Sequence, residues 1–296
     1  MLAAPLREYL FKNDLDQQAR SFNGIHLQSS EDFKSILEGL DLRQNEIHLV
    51  AGQALLPAFT ALMRAQGNKR IRGTVDADPL NQAGTGPQNQ PLFEMMRDDT
   101  AAVLYYIQSA LMEGFQSNRV SLDPHHFGGA NALQQIACAL GMTVEYIDQF
   151  SSQYDFDPHF LLDQIHYHFP VDTDFFTEIA KFRAFNILLK TLRQQYRLTS
   201  SENIRIHGQG ALRSLSRLDP HVNMLRATTQ AMSAALGGCT DISLPTYNAT
   251  ETHDDSRAAR IARNVQLILK NESFLDEVSD PAAGSYYVEY LTQQFA

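Results

Sequence analysis

Only two of the 296 residues are cysteine. Cys138 lies in an apolar stretch of helical spacing and Cys239 in strand-like surroundings, which reads as two buried thiols in a reducing compartment rather than a disulfide. No redox chemistry follows from them. Long hydrophobic runs are missing as well: no stretch approaches the roughly 18 consecutive apolar residues of a membrane span. Arg7 and Glu8 also interrupt the first residues too early for a signal core, so a cytoplasmic protein is expected. Positive charge is the third scarcity, with 24 Lys and Arg against 34 Asp and Glu, a net charge of -10 and a pI near 5.4. The charges are dispersed, which argues against nucleic acid and anionic membranes as partners. Small anionic ligands stay open, because a local Arg or His cluster reverses the field. Repeats, low-complexity tracts and linkers are absent too, so a single domain over residues 1–296 is expected, with 1–23 an unassigned N-terminal segment.

What is present is an alternation of strand-like and helix-like runs. Strands are expected at Leu6 to Phe11, Gly24 to Leu27, Glu46 to Val50, Ile71 to Val75, Arg119 to Leu122, Ile165 to Phe169, Ile204 to His207 and Asp241 to Leu244. Helices fall between them: one capped by Ser30 with Phe33, Ile36, Leu37 and Leu40 on a face, then Leu55 to Ala65, Phe93 to Phe115, Ala130 to Leu140 and Phe175 to Tyr196. A last stripe joins Ala258, Ile261, Ala262, Val265, Ile268 and Leu269. Eight strands, each followed by a helix, is the count of an α/β protein built as a (β/α)8 TIM barrel.

The stretch from Ile204 to Gly238 organises the rest. Ile204 and Ile206 alternate with Arg205 and His207, the two-residue period of a strand. Gly208 and Gly210 bracket Gln209, so a tight turn is expected there, and after Asp219-Pro220 an amphipathic helix runs to Gly237 and Gly238. Loops at the carboxyl ends of parallel strands carry the chemistry of such proteins, and Arg205, His207, Gln209 and Asn223 sit at or near this one.

A second loop, DPHHFGG from Asp123 to Gly129, places His125 and His126 at a strand's end as metal ligands, an acid–base pair or hydrogen-bond donors. With His166, His168 and His207 near other strand ends, a metal-dependent barrel hydrolase is one reading. Asp123, Asp172 and Asp241 are its candidate carboxylates, but their spacing matches no recognisable site, and hydrogen-bonded histidines are the plain alternative. Asp123-Pro124-His125-His126-Phe127-Gly128 also fits D-x-H-x-x-G, the cobalt-ligand pattern of many cobalamin domains. That pattern belongs to a flavodoxin-like domain with its own Ser and Gly-Gly signatures, whereas here it sits inside a continuous barrel pattern, so it is read as a decoy. In EIAKFR, Ile179, Phe182, Phe185 and Leu189 are expected to pack inward, with Glu178, Lys181 and Arg183 solvated or paired at i,i+3 and i,i+4.

FFTEIAKFRA, RIHGQG, LDPHVNMLRATTQAMSAALGG, SRAARIARNVQLIL and VSDPAAGSYYVEYL resemble, in order and spacing, the barrel domain of the methylmalonyl-CoA mutase family. GIHLQSSEDFKSILEGL and MTVEYI fit as well, so the likeness runs from about Gly24 to the end. It implies a barrel binding an acyl-CoA thioester along its axis, under a separate C-terminal domain that holds adenosylcobalamin. The reaction implied is a radical 1,2-rearrangement between succinyl-CoA and methylmalonyl-CoA. His126 falls on the family's active-site histidine, where the usual text is S-G-Y-H. His207 and Gln209 fall on the R-T-H-x-Q pair that contacts substrate and corrin, and Thr74 on the Thr of G-T-I-Q-N-D.

The departures shape the expectation. Asp76 replaces the Gln of G-T-I-Q-N-D, His125 replaces the Tyr before the active histidine, and Pro245 and Ala249 replace the Asn and Glu of H-T-N-A-L-D-E. The substrate-carboxylate Arg has no counterpart in GTGPQNQPLF, and neither the N-terminal arm nor the cobalamin domain is matched. The resemblance therefore implies the small subunit of a heterodimeric mutase, inactive alone, pairing with a catalytic large subunit or forming a homodimer. Adenosylcobalamin is expected in the complete complex and not on this chain. An active mutase barrel for this or another acyl-CoA is the alternative, with Thr74, Asp76, His125, His207 and Gln209 facing substrate or cofactor and His126 catalytic.

Overall fold

The structure is a computed structural model that describes residues 24–26, 47–50, 55–66, 72–82, 90–110, 112, 115–197, 204–250 and 256–296. The expected strand Leu6 to Phe11 and the helix capped by Ser30 lie outside them. Eight strands occur among the described residues: β1 Gly24–His26, β2 Ile47–Val50, β3 Gly73–Val75, β4 Phe115–Gln116, β5 Asn118–Ser121, β6 Ile165–Val171, β7 Arg205–Gly210 and β8 Asp241–Ser243. The helices are α1 Leu55–Gln66, α2 Pro79–Gln82, α3 Gln90–Ser109, α4 Asp123–Phe127, α5 Ala132–Tyr154, α6 Pro158–Gln164, α7 Phe175–Gln195, α8 Val222–Gly237, α9 Ser256–Asn271 and α10 Tyr286–Phe295.

The strands form two four-stranded sheets, β1-β2-β3-β4 and β5-β6-β7-β8, each in chain order. The pairs β1–β2, β2–β3, β3–β4 and β7–β8 are parallel. Parallel neighbours taken in sequence require a crossover each time, and α1, α2 with α3, and α8 lie in the β2–β3, β3–β4 and β7–β8 connections. The chain is an α/β protein with parallel sheets. Its residues fall into two compact units, one comprising residues up to Val120 with Met142–His166, the other Ser121–Gly141 with Tyr167–Ala296.

In the first unit, Ile47 and Leu49 of β2, Val75 of β3 and Phe115 of β4 pack against Leu55, Phe59 and Leu62 of α1 and Val103 and Ile107 of α3. The Phe59 ring meets Tyr106 edge-on at 5.5 Å and lies 6.2 Å from Phe115. This packing explains why α3 stops at Ser109 and does not reach Phe115. Phe115 is instead a strand residue, in register with Gly73, and a two-residue strand leaves no periodicity to read.

In the second unit, Tyr167 and Phe169 of β6 stack edge-on against Phe182 and Phe185 of α7, at 4.8 to 5.7 Å. Cys138 and Cys239 are free thiols, each half-buried. Helix α8 ends as its sequence dictates, with Gly238 in the left-handed region at φ 90°. Two expectations change. Asp123 to Phe127 is a helical turn rather than a loop, started by Pro124, whose missing N–H costs nothing at a helix N-terminus. The second concerns β7, which does not turn at Gly208 but continues to Gly210. The glycines are there for close approach: a Cβ on Gly208 would lie 3.0 Å from Cys239 Sγ, and one on Gly210 would lie 2.7 Å from Pro245 Cδ and 3.0 Å from Gln230 Oε1.

Because a proline ring cannot swing aside, Gly210→Ala is expected to lower stability by about 1–3 kcal/mol. Gly141 offers the contrast, since it sits inside α5 with open space around its Cα. Gly141→Ala should raise stability by about 0.5–1 kcal/mol through helix propensity. Urea unfolding midpoints of the two variants against the parent chain check both signs.

Candidate functional site

Each unit carries a buried polar cluster. In the second unit, the short helix α4 follows β5 directly, and Leu122 donates its N–H to His168 O at 2.8 Å, tying the helix start to β6. His126, in the last turn of α4, is 4% exposed. Its carbonyl accepts from the Gly129 N–H at 2.9 Å and from Arg213 Nη1 at 3.0 Å. On the ring, Nδ1 lies 3.3 Å from Gln135 Nε2. Nε2 is buried and makes no hydrogen bond among the described residues, with Asp172 Oδ2 at 3.5 Å. Burial pulls the His126 pKa below the ordinary imidazole value, Asp172 pulls it up, and Lys181 and Arg213 pull it down. Burial is the largest of these influences, and the net direction favours the neutral ring.

Behind His126 the polar contacts continue. Gln135 Oε1 accepts from Lys181 Nζ at 3.1 Å, which also donates to Pro170 O at 2.6 Å and pairs with Glu178 Oε2 at 2.5 Å. Lys181 is 0% exposed and Glu178 4%. The expected i,i+3 pairing is present, but the pair is inside the protein and not solvated. The reason is that α7 is covered on every side here: Glu178, Ile179, Ala180, Lys181 and Phe182 are all buried in succession. Burial raises the Glu178 pKa, and the Lys181 ammonium counters that. Arg183 faces the other way, bonded to Asp280 at 2.9 Å and Glu289 at 2.8 Å.

His207 of β7 bonds Ser243 Oγ of β8 at 2.8 Å and stacks on His168 of β6, ring centroids 4.6 Å apart. Gln209, two residues on and so on the same strand face, is half-buried and in register with Ser243. His125 is half-buried, its Nε2 shielded and without a hydrogen bond among the described residues. Asn223 is fully buried and bridges Ser216 to the Tyr247 carbonyl at 2.9 Å, a clamp on the loops around α8.

The first unit holds Thr74 and Asp76 at and just beyond the end of β3. Asp76 is 1% exposed and accepts from Arg119 Nη1 at 3.0 Å, His166 Nε2 at 2.8 Å and Thr74 Oγ1 at 3.2 Å. Thr74 in turn takes His48 Nδ1 at 2.9 Å. Two residues on, Asp78 accepts the Tyr146 hydroxyl at 2.7 Å, and burial with this carboxylate drives the Tyr146 pKa well upward.

Sequence reading did not single out Gln135 or the burial of Glu178 and Lys181. Gln135 stands nine residues beyond His126 with no motif around it. Lys181 gives one signal, a charge flanked by Ala180 and Phe182 within a helix whose neighbours are nearly all apolar.

Comparison with known proteins completes the site's context. A family model described as methylmalonyl-CoA mutase matches residues 13–296. The chain is 29% identical over 282 residues to the methylmalonyl-CoA mutase of Rhizobium meliloti, covering 92% of this chain and 39% of that protein. It is 28% identical to the methylmalonyl-CoA mutase small subunit of Porphyromonas gingivalis (96% of this chain, 46% of that protein). To the small subunit of Streptomyces virginiae it is 31% identical (88% and 42%). The chain thus spans less than half the length of each of these relatives.

Asp172 is the one group raising the His126 pKa against burial, Lys181 and Arg213. Asp172→Asn should therefore move the His126 titration to still lower pH, measured by NMR of the ring protons, and a rise or no change would remove Asp172 from the site.

Proposed function

The chain belongs to the methylmalonyl-CoA mutase family, and on that premise we propose that it is the small, non-catalytic subunit of a heterodimeric mutase. In this proposal residues 1–296 form one (β/α)8 barrel domain that pairs, in the cytoplasm, with a catalytic large subunit. No helix among the described residues is long and apolar enough to cross a membrane. Eight strands in chain order, in two sheets whose assigned neighbours run parallel, support the barrel. The resemblance of the chain to two small subunits supports the subunit role. Family membership displaces the reading as an unrelated metal-dependent hydrolase.

The observation that carries the non-catalytic reading is Asp76. The catalytic pattern has a Gln there, whose amide offers a donor to a ligand; a carboxylate offers none. This carboxylate is buried, and it accepts from Arg119, His166 and Thr74 of its own unit. It serves as the anchor of a structural ion pair.

The second reading, a substrate-binding barrel of an active mutase for this or another acyl-CoA, is favoured by His126. A buried imidazole nitrogen without a hydrogen bond costs about 1–3 kcal/mol. A thioester carbonyl would recover that cost by accepting from it. His125, His207, Gln209, Thr74 and Asp76 would be the remaining substrate- or cofactor-facing residues in that reading.

The family is generally cobalamin-dependent, and adenosylcobalamin would supply radical initiation in the complete complex. The D-x-H-x-x-G residues do not fit a cobalt ligand. Asp123 to Gly128 is a closed helical turn, with the Gly128 N–H bonded to Pro124 O at 3.0 Å and His125 Nε2 shielded.

Calorimetric titration of the chain with succinyl-CoA and with free CoA, repeated with the large subunit present, separates the two readings. The expected result is tight association with the large subunit and no turnover by this chain's own site, unaffected by His126→Ala in the reconstituted complex. Binding that prefers succinyl-CoA, with turnover lost in His126→Ala, would establish the active barrel instead.

A further inference from the structure

The contacts behind His126 have a direction. A lysine ammonium has three donors and no acceptor, and Lys181 is surrounded by three oxygens, those of Pro170, Glu178 and Gln135. The Gln135 side chain must therefore turn its oxygen toward Lys181. Its amide nitrogen then faces the other way, toward Ala130 O at 3.0 Å and His126 Nδ1 at 3.3 Å. Both amide hydrogens are taken, one by each acceptor. Reversing the amide would set oxygen against the Ala130 carbonyl and NH2 against an ammonium, two repulsions at once.

The amide so oriented leaves His126 one choice. Nδ1 must accept, so the ring proton sits on Nε2. An imidazolium is disfavoured by the same geometry, because its Nδ1–H would meet an N–H. We propose that Glu178, Lys181 and Gln135 act as a positioning relay that locks His126 as the neutral Nε2–H tautomer, a hydrogen-bond donor for a carbonyl oxygen. The inference deepens the acyl-CoA reading of His126 and rests on it for the ligand class alone. The relay itself belongs to the unliganded chain.

Four groups bear on the proton at His126. Gln135 holds Nδ1 from α5, and Lys181 stands behind it from α7. Asp172, just beyond β6, lies 3.5 Å from Nε2, and Arg213 binds the His126 carbonyl. Glu178 acts only through Lys181. Gln135 acts on Nδ1 and Asp172 on Nε2, and both favour the proton on Nε2. Glu178 and Lys181 fix which way Gln135 points. Replacing that amide with a carboxylate puts an acceptor opposite Nδ1, and the proton should follow.

Long-range ¹H–¹⁵N spectra of the histidine rings, with His126 assigned by its loss in His126→Gln, report tautomer and proton affinity without any ligand. The wild-type chain should show Nε2–H at pH 7.5. Gln135→Glu should move the proton to Nδ1 and raise the proton affinity of the ring about tenfold, one pH unit. Gln135→Met in an Asp172→Asn background, which removes the bias at both ring nitrogens, should give a tautomer mixture. Unchanged His168 and His207 signals certify the fold, which a purely structural role for Gln135 would leave as the only readout affected. A wild-type Nδ1–H ring, or a tautomer and affinity unmoved in both variants, overturns the relay. A chain that keeps the Nε2–H ring yet binds no acyl-CoA defeats the substrate reading and leaves the relay standing.

Discussion

A single ammonium group, that of Lys181, sets the arrangement of the second unit. Removing a charge from water costs several kcal/mol, and the chain offsets this with three oxygens of different origin: the Pro170 carbonyl at the far end of β6, the Glu178 carboxylate one turn back on α7, and the Gln135 amide from α5. Strand and both helices must keep their mutual positions for those oxygens to converge. The aromatic packing of Tyr167 and Phe169 on Phe182 and Phe185 closes the remaining faces. Apolar burial fills this core, and the ammonium dictates its register, because a hydrophobic contact tolerates a slide that a hydrogen-bonded charge does not.

The two polar clusters use the same side-chain types to different ends. Asp76 is supplied with donors from Arg119, His166 and Thr74, so its chemistry is spent inward. His126 is held from behind by Gln135 and from its backbone by Arg213, while its Nε2 makes no hydrogen bond among the described residues. One histidine ring bonds a carboxylate; the other has a buried ring nitrogen without a hydrogen bond among the described residues.

Much of the fold was legible because periodicity reports solvent exposure. Strands β2, β3, β5, β6, β7 and β8 and helices α1, α7, α8 and α9 fall where alternation or helical stripes place them. β4 was not, since two residues carry no period. Gly208 and Gly210 were visible as special, yet their reason is a neighbour's side chain, Cys239 or Pro245, that is distant in sequence. At the site, His126 and His207 stood out by residue type and motif. Glu178 and Lys181 look the same on paper whether solvated or enclosed, and the difference lies in what covers α7. Gln135 is meaningful only through the two partners that orient it.

Helix α7 also has an outward grip. Arg183 reaches Asp280, Glu289 and Thr292, and Tyr287 meets Phe176 edge-on, so α10 is fastened to α7 by partly exposed ion pairs and one aromatic contact. Exposed pairs weaken as ionic strength rises, whereas the Lys181 cluster on the opposite side of α7 is shielded. The two sides of one helix therefore belong to different tiers of cooperativity. Salt should therefore loosen the ion-paired part of the α10 attachment, which also rests on buried Val288 and Thr292, before it reaches the Lys181 cluster.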